Sequence, residues 1–376
     1  MEAYPYTWID SDTALQTCCD ELQQSATVAV DTEFMRTSTF FPRAALFQLS
    51  NGNKTYLIDP LSIDEFQPLG SLFTAANVTK VFHSCSEDLE VIQYFLNCLP
   101  QPIIDTQIAA ALLNIGSAVG YGNLVKEILG RELEKGETRS DWLQRPLQEK
   151  QIVYAIQDVT YLLTVYDELM RRLQSLQRWT WLQEECAQLL ENARQPALIE
   201  DYYRKIKSAW KLNRRQLAVL RALCAWREKK ARSLDMPRNH IVPEKVLLEL
   251  AIQQFTDEDA LKSLKDFHRR QRQQFGKELI EIVIASQALP PDEYPSALPQ
   301  PLSAEQKKLV KALKPLVETI AAEQSLPGDI LVKKQDLEQL ARSKQNQQYL
   351  LPPRLSGWRK AIVGDTLLTF ANQWQL

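Results

Sequence analysis

Two carboxylates spaced two residues apart, Asp31 and Glu33, close the short β-branched run Val28-Ala29-Val30. A strand repeats every two residues, so both acids project from one face. Two like charges about 4 Å apart repel by roughly 4 kcal/mol at an effective dielectric near 20, and a divalent cation is the economical way to neutralise them. The pair alone is a weak signal, because a strand ending in a turn with solvated acids gives the same pattern and is the commoner case. Further carboxylates have to come from elsewhere in the chain.

Residues 81–91 supply candidates: Val-Phe-His-Ser-Cys-Ser-Glu-Asp-Leu-Glu-Val reads as a strand end, a turn and a helix start. Acids in a first turn are accounted for by the helix dipole alone. Asp88 can nevertheless project towards the first pair, whereas Glu87 and Glu90 point about 100° and 200° away around the helix. His83 is either a neighbour of a metal site or a strand-end histidine, the second being commoner. Tyr154 and Asp158 lie one helical turn apart, which stacks a phenol and a carboxylate above the same point; an exposed surface pair gives the same spacing. Asp105 stands immediately before a helix start at Thr106 and reads as a cap or a group supporting the site. Gly116, Gly120 and Gly122 lack the register and the Lys-Ser/Thr of a phosphate cradle.

The elements that position these residues follow from periodicity. A helix over 12–24 opened by Ser11 and Asp12 precedes the strand of residues 28–33. Strands at 44–50 and 55–59 flank Asn51-Gly52-Asn53, a strong hairpin signal, so the first three strands are expected as an antiparallel meander. Helix 66–76, strand 78–83, helix 87–96, strand 102–105 and helix 106–114 then alternate, which requires crossovers and parallel strands. A mixed sheet with acids at the end of its first strand fits the ribonuclease H-like class of α/β fold. A long helix is expected over 148–174, with Ile152, Ile156, Val159, Leu163, Tyr166, Met170 and Leu173 as its core stripe.

After Gln195-Pro196 the pattern is wholly helical, with Trp210, Leu217, Leu220, Leu223 and Trp226 expected in a core. A weak repeat relates 217–234 to 309–326, each followed by a proline turn, and five prolines in 290–301 mark a linker. Length alone suggests two to three domains for 376 residues. The net charge of −3 conceals 14 Lys+Arg against 27 Asp+Glu in residues 1–200 and 30 against 20 in 201–376, or −13 and then +10. That split favours a metal-dependent enzyme acting on a polyanion, although solvated helical proteins are often as lopsided. Six cysteines without a C-x-x-C pair point to reduced thiols, and no zinc site is readable. With no leader-like start and no run of eighteen apolar residues, the expected protein is cytoplasmic and neither exported nor membrane-spanning.

Asp31-x-Glu33, residues 83–88, and Tyr154-Ala155-x-x-Asp158 resemble the three exonuclease motifs of the DEDD superfamily, the tyrosine marking its DEDDy branch. Leu46-Phe47-Gln48-Leu49, Ile104-Asp105-Thr106-Gln107, Trp142-x-x-Arg145-Pro146-Leu147 and Gln151-x-x-Tyr154-Ala155 are similar to the bacterial ribonuclease D family across residues 5–195. His83 replaces the asparagine of the wider superfamily, as it does in ribonuclease D relatives. The helical half is similar to two HRDC modules, small bundles for nucleic acid or partners, the first carrying the denser cluster Arg227, Lys229, Lys230, Arg232 and Arg238; a solvated helix face is the alternative for that cluster.

The resemblance implies a DEDDy exonuclease domain over 1–200 and HRDC-like domains over 204–289 and 302–376. It implies a 3′–5′ exoribonuclease releasing nucleoside 5′-monophosphates, with transfer RNA precursors and other structured RNAs as substrates. A DNA-trimming exonuclease and a noncatalytic RNA-binding protein are the alternatives, and no motif acid is missing as the latter would favour. By the same resemblance two divalent ions, Mg2+ or Mn2+, are bridged by Asp31, with Glu33 and Asp158 on the nucleophile side and Asp88 on the leaving-group side, largely through water. Tyr154 orients the attacking water, since a phenol with pKa near 10 is a poor base at neutral pH.

Overall fold

A computed structural model describes residues 5–133, 136, 140–195 and 198–374. The chain divides into two compact units, one of residues 1–35, 44–194 and 302–376, the other of 36–43 and 195–301.

The first unit is built on a six-stranded sheet of β1 (Thr7–Ile9), β2 (Thr27–Met35), β3 (Arg43–Ser50), β4 (Thr55–Ile58), β5 (Thr79–Phe82) and β6 (Ile103–Asp105), in the order β1-β4-β3-β2-β5-β6. The hairpin forms where the Asn-Gly signal placed it. Gly52 takes φ +87°, which a side chain would resist, and Asn51 Oδ1 accepts from the Asn53 and Lys54 amides. β3 and β4 pair antiparallel from Phe47↔Ile58 to Ser50↔Thr55. β5 lies parallel to both β2, through Ala29↔Val81, and β6, through Phe82↔Asp105, as the helical crossovers require. The mixed α/β sheet expected from the alternation is therefore present. β1, a three-residue edge strand parallel to β4, was not anticipated.

Alternation along β2 sends its residues to two packing layers. Ala29 packs with Val81, Val159, Leu162 and Leu163, while Val28 and Val30 join the cluster containing Leu89 and Ile92. Asp31 and Glu33 share the face of Ala29, and Thr32 shares the other.

The single helix expected over 148–174 is two, Glu149–Thr160 and Leu162–Ser175, joined at Tyr161. Thr160 Oγ1 donates to the Ile156 carbonyl at 2.7 Å, a back-bond that bends helices. The apolar stripe continues across the break, with Ile156, Val159, Leu163, Met170 and Leu173 all buried.

The weak repeat is reproduced in the backbone. Helices Arg214–Ser233 and Ala304–Glu323 are each 20 residues long and opened by capping boxes, Asn213 with Gln216 and Ser303 with Gln306. Beyond their ends Asp235 and Ser325 adopt φ of 47° and 48°, and the four-residue helices Arg238–Ile241 and Gly328–Leu331 follow. Within the first unit the second copy packs through Trp358, stacked on Trp181 at 4.4 Å and donating from Nε1 to Glu185. Trp210 departs from expectation: it is 38 % exposed, whereas Leu217, Leu220 and Leu223 are wholly buried. It sits in the short turn Ala209–Lys211 ahead of the helix, so helical spacing does not extend to it. Among the described residues the six cysteines are free, and no helix is long and apolar enough to cross a membrane.

Candidate active site

Asp31 and Glu33 lie beyond the last register pair that β2 makes with β5. They stand at the carboxyl end of the parallel strands, where open α/β sheets bind ligands. On the same face the Glu149–Thr160 helix brings Asp158, and ligand oxygens of Asp31, Glu33 and Asp158 all lie within 4.8 Å of one another.

Asp88 reaches the site by another route. β5 ends at Phe82, Ser84 takes φ 64°, and the Ser86–Leu96 helix begins. Asp88 is buried while Glu87 and Glu90 are exposed, as the angular argument anticipated. It is not one of the three acids within 4.8 Å; its Oδ1 instead accepts from Thr32 Oγ1 at 2.5 Å. Its charge still acts on Asp31, Glu33 and Asp158.

Asp105 is fixed as a cap. Its carboxylate accepts from the amides of Ser84 (3.0 Å), Cys85 (2.9 Å) and Gln107 (2.8 Å), which ties the turn ahead of Asp88 to the start of the next helix. His83 is a strand-end histidine with Nδ1 on Thr106 Oγ1 and Nε2 on the Val119 carbonyl, both at 2.9 Å. Burial holds its pKa below the usual imidazole value.

The electrostatics are those of crowded carboxyls, Asp88 buried and the other three partly so. Burial first, then Asp158, Asp88 and Glu33, raise Asp31 well above the usual carboxylate range. Burial, Asp158 and Asp88 push Glu33 up to about 9. Asp158 rises to about 7 through burial, opposed by a hydrogen bond from Tyr154, and Asp88 to about 6 through burial, opposed by Thr32. The leading charges acting on Asp31 are all carboxylates, and the donor set is all oxygen, so the cluster suits a hard divalent cation; without one, protons take its place.

Tyr154 stands one turn before Asp158 and hydrogen-bonds to it; burial and the Asp158 charge raise the phenol further above its ordinary value. Its ring packs 6.0 Å from that of Trp142, which is 2 % exposed. Nearby, Arg145 grips Asp59 with two bonds of 2.7 Å and the Ala45 carbonyl, fixing the segment after Trp142 to β3 and the end of β4. Sequence reasoning missed Thr32 altogether and knew Trp142 and Arg145 only through resemblance. A buried hydroxyl between two acids was the available signal for Thr32.

A family model described as 3′–5′ exonuclease matches residues 6–174, one for the HRDC domain matches 216–283, and one for the ribonuclease D C-terminal HRDC domain matches 305–367. The chain is 42 % identical to ribonuclease D of Pseudomonas paraeruginosa, over 96 % of each chain. It is 36 % identical to ribonuclease D of Escherichia coli, over 98 % of this chain and 99 % of that one. The crystal structure of the Escherichia coli protein, described as an exoribonuclease involved in structured RNA processing, superposes with a TM-score of 0.93 at 34 % identity, covering 99 % of this chain and 100 % of that one.

Proposed function

The chain belongs to the ribonuclease D family and is a 3′–5′ exoribonuclease, and on that premise we propose which residues do the work and on what. The observation that carries the reading is the close approach of Asp31, Glu33 and Asp158, with their raised pKa values. Asp31, Glu33 and Asp158 would hold the divalent metal, Mg2+ or Mn2+, with Asp31 serving as the common ligand, Glu33 and Asp158 supporting the nucleophile side and Asp88 the leaving-group side. When bound, such ions lower the pKa of water and stabilise the leaving oxygen. Tyr154, protonated at neutral pH, orients the attacking water as a hydrogen-bond donor, and Trp142 holds its ring in place.

The substrates are structured RNA 3′ ends, transfer RNA precursors foremost, in the cytoplasm. The exonuclease domain spans 1–200 and HRDC-like domains span 204–289 and 302–376, with the helical modules contacting RNA. Digestion of matched labelled RNA and DNA, with free or phosphate-blocked 3′ ends, tests this. Nucleoside 5′-monophosphates should appear from free RNA ends. Equal trimming of DNA would overturn the RNA preference, and release from blocked ends would overturn the polarity.

A further inference from the structure

The basic residues of the first helical module divide into two groups once their partners are known. Glu228 is wholly buried and pairs with Arg238, whose Nη2 donates to it at 2.9 Å, while Arg232 lies 3.9 Å from the same carboxylate. Both guanidiniums also cover the Phe40 ring, at 4.7 and 5.0 Å. Lys230 pairs with Glu278 at 3.0 Å. These cations build the module. Arg227 differs: it is 4 % exposed, its one hydrogen bond among the described residues is a long 3.3 Å contact to the Val242 carbonyl, and its buried Nε has no partner there.

Arg227 lines a cavity of about 510 Å3 within the unit of residues 36–43 and 195–301. Arg36 and Arg238 also line it, together with Asn239 and Thr39, and the Asp235 carboxylate holds the 36–43 segment in place by accepting from the Phe40 and Phe41 amides. Arg36, Arg227 and Arg238 in the lining and Arg232 behind it stand against Glu244 in the lining and Glu228 and Asp235 behind it, four charges against three, which leaves +1. Among the described residues Glu244 is the one carboxylate lining the cavity, and its Oε1 accepts from the Lys207 amide at 3.3 Å. A buried guanidinium with open donors beside a polar, net positive cavity is matched by an anion with several acceptor oxygens.

We propose that this cavity binds a phosphate group through Arg227. Two sources carry that chemistry, an RNA backbone and a free nucleoside monophosphate. The RNA source rests on the exoribonuclease reading; binding is therefore measured without divalent ions, so that it succeeds or fails independently of the metal site.

The full chain is used throughout. Inorganic phosphate and AMP are titrated while the Arg227 Nε–H resonance is followed, assigned by its loss in Arg227→Lys. Single-stranded RNA affinity is measured across a salt series for the wild type, Arg227→Met and Asn239→Asp, the last an exposed position that adds charge without disturbing a core. The expected result is a phosphate-dependent shift of the resonance, a salt slope smaller by about 0.7 in Arg227→Met, and weaker RNA binding in Asn239→Asp. A shift with phosphate and AMP but unchanged RNA slopes assigns the site to free nucleotides. No shift and no change in slope would make Arg227 a structural arginine and overturn the proposal.

Discussion

The Thr32 hydroxyl donates to Asp88 Oδ1 at 2.5 Å, joining the Ser86–Leu96 helix to the strand whose opposite face carries Asp31 and Glu33. The bond opposes the rise in the Asp88 pKa, which burial takes to about 6. Thr32→Val keeps the shape and deletes the donor. Divalent-ion affinity at pH 7 should fall roughly 10- to 100-fold, the usual scale for groups that orient ligands. Stability should fall by about 1–3 kcal/mol. Unchanged affinity would show that Asp88 needs no such support.

The raised carboxyls also fix a sign. In the metal-free folded chain Asp88, Asp158 and Glu33 hold protons up to about 6, 7 and 9, while in the unfolded chain they lose them near pH 4. The folded state therefore binds more protons between these limits, and the site's contribution to stability, complete below about pH 4, is lost as pH rises through 6 to 9. Metal-free Tm should fall from pH 6 to 8 more steeply in the wild type than in Asp31→Asn, and Mg2+ should raise Tm more at pH 8 than at pH 6. Parallel pH profiles for the two proteins would contradict this.

Tyr154→Phe retains the packing on Trp142 and removes only the hydroxyl that bonds Asp158. Single-turnover hydrolysis should slow by about 10-fold or more, with RNA affinity in metal-free buffer unchanged. A wild-type rate would reduce the tyrosine to a packing residue.

Trp358 is 7 % exposed and stacked on Trp181 within the first unit. Trp358→Ala should cost about 3–5 kcal/mol by thermal or denaturant unfolding, as large-to-small changes at buried aromatics do. A loss below about 1 kcal/mol would mean that this contact contributes little to the unit.

Much of this arrangement was readable because it is local. Asp31 and Glu33 share a face by alternation alone, Asp88 follows from angles around one helical turn, and the hairpin is written in Asn51-Gly52. Interactions between distant segments were not readable. Thr32 looks like a spacer until the helix bearing Asp88 is packed against it, 56 residues on. The break at Tyr161 is hidden because the apolar stripe runs through it, and β1 is three residues long, defined only by its pairing with β4. Arg227 reads as one more surface cation in a basic run, and only its burial separates it from its neighbours.

The most direct test is a Mn2+ titration followed by electron paramagnetic resonance at pH 8, on the wild type, Asp31→Asn and Asp105→Asn, each with an RNA whose terminal linkage is a phosphorothioate. In the proposed site Asp31 would be the shared ligand, whereas Asp105 spends its oxygens on backbone amides. The expected result is two bound ions in the wild type and in Asp105→Asn, the latter with a lowered Tm, and loss of tight binding in Asp31→Asn beyond the 100-fold that an outer group would cost. Wild-type affinity and stoichiometry in Asp31→Asn would contradict the assignment of the carboxylate cluster on β2 as the metal site.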